Sequence, residues 1–280
     1  MKPLAIATIL QQAQQQLLIS SDTSLLDAEI LLAEVLKVSR SYLLAFPERE
    51  LTLAQKKSFE NFIAQRKQKI PVAYITGHKE FWSLDLLVTR DTLIPRPETE
   101  LLVEIVLQEM VGAKKRIADL GTGSGAIALA IAHERPLWEV HATDLSIDAL
   151  AIAKLNAARL GLEHVIFHQG SWGEALPATM KFDVIVSNPP YIAPDDPYLQ
   201  RGHLSYEPRS ALVADENGLK EISRIIQTAK QYLISGGQLM LEHGFEQASE
   251  IRSIFANLDY SDIDTYPDLA GLNRVTRGKI

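Results

Sequence analysis

Apolar positions along the first 70 residues recur at helical spacing. Leu25, Leu26, Ala28, Ile30, Leu31, Leu32, Val35 and Leu36 fall at intervals that build a buried stripe on a helix, and no strand-like alternation competes with them. Thr52 followed by Gln55 has the form of a capping box, in which each side chain satisfies a free N–H at a helix start. A further helix is therefore expected from there to about Gln68, ended by Pro71. Residues 1–72 read as a small helical bundle, either a packing appendage or a docking element. From Pro71 to Pro97 the pattern turns to short β-type runs, Phe81-Trp82 and Leu86-Leu87-Val88, broken by Gly77 and by Ser83 to Asp85. This reads as a hairpin linker over 73–95. Residues Ile94 to Glu100 then place Pro97 and the acids Glu98 and Glu100 where the first turn of a helix favours them, so a new domain, 96–280, starts there.

Beyond residue 96, strand-like and helix-like segments alternate. The strand candidates are Arg116–Leu120, Glu139–Asp144, Val165–His168, Phe182–Ser187 and Gly237–Glu242. Such alternation predicts an α/β fold, a mostly parallel sheet with helices on both faces. Two more candidates, Asp262–Tyr266 and Arg274–Arg277, are joined by too few residues for a crossover helix and should pair antiparallel.

Composition narrows the field. The chain has 280 residues, 46% of them hydrophobic, which is globular rather than disordered. Apolar stretches such as Ala126–Ala132 fall well short of the roughly 20 residues a membrane helix needs. The N-terminus, Met1-Lys-Pro-Leu followed by the Gln-rich run 11–16, lacks the apolar core of an export signal. A cytoplasmic protein without a membrane partner is expected. There is no cysteine, which excludes disulfides, thiolate metal sites and Cys nucleophiles, and no metal-ligand set is read. A net charge of -7 argues against a protein built to grip phosphate backbones. Lys56, Lys57, Arg66, Lys67 and Lys69 form one basic cluster, read as the solvated face of a helix.

Two motifs carry chemistry. Asp119, Leu120, Gly121, Thr122, Gly123, Ser124 and Gly125 lie between the first strand and the helical run 126–133, the strand–turn–helix context in which a glycine loop cradles a nucleotide-like ligand. With Ala126 the loop also satisfies the dinucleotide fingerprint, so it does not decide the ligand alone. Asp144, nineteen residues beyond Gly125 at the end of the second strand, can accept ribose hydroxyls or cap the next helix. A carboxylate at Asp119 would repel a pyrophosphate but can attract the ammonium group of a methionine moiety. Trp172, after the third strand, can cover an adenine or serve as core. The second motif, Asn188-Pro-Pro-Tyr191, follows the fourth strand at the sheet edge where open α/β folds bind ligands. Its prolines stiffen the loop. The Asn188 side-chain oxygen and the Pro189 carbonyl can each accept one hydrogen of an NH₂ group, with the Tyr191 ring against its plane. That arrangement suits a planar amide or amino nitrogen, whose delocalised lone pair has to be oriented before it can attack.

Phe81-Trp82-Ser83, Leu93 to Glu100, Asp119 to Gly125, Ser187 to Tyr191 and Leu241-Glu-His-Gly244 stand in the order found in the HemK/PrmC family of release factor glutamine methyltransferases, which the whole chain resembles. The resemblance implies a helical N-terminal domain, a hairpin linker and a seven-stranded, mostly parallel Rossmann-like methyltransferase sheet. It implies S-adenosyl-L-methionine as cofactor, and as substrate the glutamine of the Gly-Gly-Gln motif in class-1 peptide chain release factors, methylated on its side-chain amide nitrogen. By position, Asp119, Gly121, Thr122, Gly123, Ser124, Gly125, Asp144, Trp172 and Asn188 would contact the cofactor. Asn188, Pro189, Pro190 and Tyr191 would hold the glutamine, with Asn188, Pro189 and Tyr191 as the catalytic set. Relatives often carry an acid before the tryptophan where this chain has Ser171, which weakens one expected bond to the adenine amino group. The rival readings are a ribosomal-protein glutamine methyltransferase, a nucleic-acid amino-methyltransferase, which would have to extract its base from the stack, and a non-catalytic scaffold. The acidic balance opposes direct nucleic-acid contact.

Overall fold

The computed structural model describes residues 4–200 and 204–280, so the Met1–Pro3 part of the N-terminal reading lies outside the described residues. Two compact units divide the chain, the first reaching His78 and also taking in Leu204–Tyr206, the second covering the remainder. In the first unit α1 (Ile6–Leu17), α2 (Ser24–Leu36), α3 (Arg40–Ala45), α4 (Leu53–Lys67) and α5 (Val72–Thr76) follow one another. Helix α1 buries Ile6, Ile9, Leu10, Ala13 and Leu17, one face at helical spacing, against Ala28, Leu31 and Leu32 of α2 and Phe59 and Ile63 of α4. The α4 capping box is formed: the Gln55 N–H donates to Thr52 Oγ1 and the Thr52 N–H to Gln55 Oε1, at 3.2 and 3.0 Å.

Two expectations for this unit fail for one reason. Leu25 and Leu26 stay 42% and 37% exposed, because the inward position of that first turn is Asp27. Its carboxylate accepts from Ser21 Oγ, Thr23 Oγ1 and, at 2.6 Å, Arg66 Nε. Arg66 is therefore no part of a solvated basic face. It neutralises a buried carboxylate, and removing either partner alone would strand a charge.

A two-stranded hairpin follows, β1 (His78–Phe81) and β2 (Leu84–Leu87), which from Lys79 on belongs to the second unit. Trp82 is not in a strand. Trp82 and Ser83 are the two central turn residues, at φ 52° and 61°, as a tight hairpin turn requires. Phe81, Leu84 and Leu86 are buried in the core of this unit while α5 packs in the first, so the segment 73–95 is shared out between the two units. A 3₁₀ turn, Pro97–Thr99, leads into α6 (Glu100–Glu109). Then come β3 (Arg116–Leu120), α7 (Ala126–Glu134), β4 (Glu139–Asp144), α8 (Ile147–Leu160), β5 (Ile166–Gln169), β6 (Phe182–Ser187), α9 (Lys220–Ala229), β7 (Leu233–Glu242), α10 (Ala248–Asn257), β8 (Ser261–Pro267) and β9 (Asn273–Lys279).

The seven strands lie in the order β5-β4-β3-β6-β7-β9-β8, parallel except for the antiparallel β7–β9 and β8–β9 pairs. Alternate residues feed opposite faces. Ile117, Val140, Val184 and Met240 pack with Leu102, Val106 and Ala128 of α6 and α7, while Ala118, Ile185 and Leu239 pack with Ile222, Ile226 and Phe255 of α9 and α10. Chain order reverses at β3, whose neighbours are β4 and β6. The C-terminal ends of these three strands thus border the crevice where such sheets take ligands.

Candidate functional site

The glycine loop leaves β3 and is pinned to β4. The N–H groups of Gly121 and Thr122 both donate to the Thr143 carbonyl at 2.9 Å, and the Gly123 N–H donates to Asp144 Oδ2 at 2.9 Å. Gly121, Gly123 and Gly125 all have positive φ, which L side chains resist. At Gly121 a Cβ would also lie 2.8 Å from the Trp172 ring. Asp144 turns its other oxygen to the Ser146 N–H, and Ser146 rather than Asp144 caps α8. Burial raises the Asp144 pKa. Ser124 is held from behind: its carbonyl accepts from Asn156 Nδ2, while the Asn156 amide also exchanges two bonds with the backbone of Leu87.

Asp119 is fully buried. One carboxylate oxygen accepts from Thr122 Oγ1 at 2.6 Å and from the Ala128 N–H at 3.2 Å; the other, Oδ1, has no partner among the described residues. Burial pushes its pKa up to about 7, and nearby Asp144 adds to the rise. An orphaned buried oxygen beside a second carboxylate fits a cationic group of a ligand and disfavours a pyrophosphate. Trp172 sits at φ 47° with its ring against Gly121 and its indole N–H donating to Glu221 Oε2 at 2.7 Å. It walls the loop while its other contacts are core.

Residues Asn188 to Tyr191 continue β6 next to that loop, since Ser187 pairs with Leu120 and donates its hydroxyl to the Leu120 carbonyl at 2.6 Å. Pro189 and Pro190 are buried. Asn188 Nδ2 donates to Thr99 Oγ1 at 3.0 Å, which leaves its Oδ1 as the acceptor available to a ligand. The Tyr191 hydroxyl donates to Glu242 Oε1 at 3.4 Å, and burial together with the Glu242 charge raises its pKa. Its carbonyl accepts from Gln247 Nε2 at 3.0 Å. Gln247 also donates to the Asn217 carbonyl and accepts from the Gly244 N–H, tying three loops together. Ile192 bridges Val213. Phe81, of the Phe-Trp-Ser motif, is core at 1% exposure, and Arg96 pairs with buried Glu207.

Every site residue expected from the sequence therefore falls at the ends of β3, β4 and β6 or on the turn after β5. Thr99, Asn156, Gly218, Glu221, Glu242 and Gln247, which support them, carry no local signal. Each meets its partner across tens of residues of chain, and only Thr99 and Glu242 sit within motifs noted beforehand.

A sheet of this order with a glycine loop after β3 and Asn-Pro-Pro-Tyr after β6 defines a Rossmann-like methyltransferase. Residues 8–77 match the PrmC N-terminal domain and residues 97–200 the methyltransferase small domain. The chain belongs to the release factor glutamine methyltransferase family. It is 49% identical over 259 residues to the family member from Salmonella typhimurium, covering 92% of this chain and 93% of that one. With the member from Coxiella burnetii it shares 49% over 273 residues, 97% and 98% of the two chains. A methyltransferase from Pyrococcus furiosus superposes with a TM-score of 0.53 at 18% identity, over 79% of this chain and 96% of that one, which shows the shared fold.

Proposed function

We propose that the chain transfers a methyl group from S-adenosyl-L-methionine to the side-chain amide nitrogen of the glutamine in the Gly-Gly-Gln motif of class-1 release factors. The observation that carries the chemistry is the committed orientation of Asn188, whose Nδ2 is spent on Thr99 so that Oδ1 is an acceptor. Membership of the release factor glutamine methyltransferase family supports the substrate. The cofactor, when bound, supplies an electrophilic methyl group on a sulfonium. Asp119, with its unpartnered Oδ1, would hold the ammonium of its amino-acid part, Gly121 to Gly125 would lie along it, and Asp144 would take the ribose hydroxyls. Trp172, its ring against Gly121, would cover the adenine.

Asn188 Oδ1 and the Pro189 carbonyl accept the two hydrogens of the substrate amide, which turns the nitrogen lone pair toward the methyl. As the N–C bond forms and the sulfonium C–S bond breaks, with S-adenosylhomocysteine as the leaving group, nitrogen would gain positive charge that the same two oxygens stabilise until one of its hydrogens leaves as a proton. The Pro-Pro backbone resists reorganisation, so the acceptors are in place before the substrate arrives. Among the described residues no helix is long and apolar enough to cross a membrane, and a cytoplasmic location, alongside the translation machinery, belongs to this proposal. The test is transfer of label from S-adenosyl-L-methionine to a purified release factor and to its motif Gln→Ala variant. Label on the first and none on the second is expected. Equal labelling of both, or labelling of nucleic acid alone, overturns the reading.

A further inference from the structure

Helix α8 runs behind the glycine loop. A Cβ at Gly125 would lie 3.3 Å from that of Ala153, one turn before Asn156 on the same helix. Asn156 is fully buried, and both polar ends of its side chain are bonded. Its Oδ1 accepts the Leu87 N–H at 2.7 Å, while its Nδ2 donates to the Leu87 carbonyl at 3.0 Å and to the Ser124 carbonyl at 2.9 Å. The two bonds to Leu87 pair the carboxamide with the end of β2 as the peptide group of a neighbouring strand would. The third bond fixes a peptide plane inside the glycine loop. The Ser124 carbonyl is held by Asn156, and the N–H at the other end of the same peptide, that of Gly125, donates to the Thr122 carbonyl at 2.9 Å. A carboxamide supplies the one acceptor and two donors this place requires. Aspartate would turn an oxygen toward two carbonyls, and alanine would take the side-chain partner from three buried backbone groups.

Resting on the cofactor role proposed above for Gly121 to Gly125, we propose that Asn156 is a positioning residue for the methyl donor: through Ser124 it holds the glycine loop in its binding shape, and through Leu87 it ties that shape to the stretch of chain that supports the amide acceptor. From Leu87 the chain runs on to Ile94 and Arg96, which Glu207 holds by accepting the Ile94 N–H at 3.1 Å and by pairing with the Arg96 guanidinium. It then reaches Thr99, whose hydroxyl accepts from Asn188 Nδ2 at 3.0 Å. The loop that would carry the sulfonium and the side chain that would accept from the amide nitrogen are thus both anchored to the segment 87–99. Asn156 itself, being fully buried, would touch no ligand, so its effect is geometric. Gly121, Gly123 and Gly125 have other backbone conformations within easy reach, and losing the Asn156 bond frees the Ser124–Gly125 peptide to turn among them.

The experiment compares the wild type with Asn156→Asp, Asn156→Ala and, as a control for lost stability, Tyr260→Phe, which removes a buried hydroxyl–carbonyl bond to Ile226 on the opposite face of the sheet. The readouts are calorimetry with S-adenosylhomocysteine, hydrogen exchange of the ligand-free protein, and methylation kinetics on the release factor. Asn156→Asp should weaken S-adenosylhomocysteine binding roughly 10-fold or more, the scale of a buried carbonyl that loses its donor. Amides of the segment 119–129 should exchange at least about 10-fold faster in that variant, while those of α9 and β7 change no more than they do in Tyr260→Phe. KM for the release factor should stay unchanged as kcat falls. Tyr260→Phe should lower Tm and leave cofactor affinity as in the wild type. Should Asn156→Asp fail to fold, Asn156→Ala, which brings no charge, decides alone by the same readouts. Cofactor affinity or loop exchange in the Asn156 variants no different from Tyr260→Phe overturns the inference. A wild type that binds S-adenosylhomocysteine but leaves the release factor unmethylated overturns the substrate reading and leaves this inference standing; one that does not bind it overturns both.

Discussion

Gly218→Ala tests whether the backbone under Tyr191 is set by its neighbours. Gly218 is buried at φ +82°, and a Cβ there would stand 2.0 Å from the Tyr191 carbonyl oxygen, 2.6 Å from its carbon and 2.8 Å from Gln247 Nε2. The left-handed backbone alone costs alanine about 1–2 kcal/mol. Ordinary contact between such atoms is roughly 3.5 Å, so the carbonyl must retreat by about 1.5 Å or the 215–219 turn must move. Tyr191 is two residues from Pro189, whose carbonyl is proposed above to accept a substrate hydrogen. A displacement near one ångström at a reacting centre costs on the order of 100-fold in rate. The expected result is a kcat for release factor methylation lowered by that order and a Tm lowered by a few degrees, as suits 1–2 kcal/mol in a chain of this size. Affinity for S-adenosylhomocysteine should stay unchanged, because the glycine loop is untouched. A variant with full kcat would show that the Tyr191 carbonyl can shift without disturbing the acceptors, and would refute the rigid-platform reasoning.

Three further outcomes are expected. Asn188→Ala should reduce kcat by roughly two orders of magnitude through loss of a positioning acceptor, with near-normal thermal stability; an unchanged rate removes Asn188 from the mechanism. Asp119 is raised to about 7 without ligand, so an ammonium beside it favours the ionised form. Cofactor affinity should therefore climb as pH rises to about 7, with proton uptake by buffer below that, and calorimetry on Asp119→Asn should show weaker binding without the pH dependence. His168 is held below the usual histidine range by burial and by His141, whose ring nitrogen lies 2.8 Å away. Its contribution to stability is thus full above the unfolded-state value and is lost as pH falls through the lowered folded-state value. Urea unfolding between about pH 5 and pH 7 should show a smaller rise of stability with pH in His168→Gln than in the wild type, and equal slopes would contradict this.

Much of the fold was readable because periodicity is a local property. Strands β3, β4 and β6 have the expected bounds, since their residues feed two buried faces and leave no room for slippage. Trp82 misled because an aromatic pair imitates a strand, while the turn needs two residues at positive φ that composition does not mark. Leu25 and Leu26 misled because the inward place in their turn belongs to the charged Asp27. In the site, the glycine loop and Asn188 to Tyr191 were legible, each being contiguous. Asn156 holds Leu87 and Ser124, 69 and 32 residues away, and Glu242 reaches Tyr191 across 51, so no spacing rule identifies either.

The central claim is that the acceptor pair at Asn188 and Pro189 serves a glutamine amide nitrogen. Mass spectrometry of a release factor incubated with the enzyme and S-adenosyl-L-methionine tests it most directly. The account predicts a single added methyl group on the side-chain nitrogen of the motif glutamine, absent when Asn188→Ala replaces the wild type. A methyl group on any other residue, or the same yield from Asn188→Ala, would contradict it.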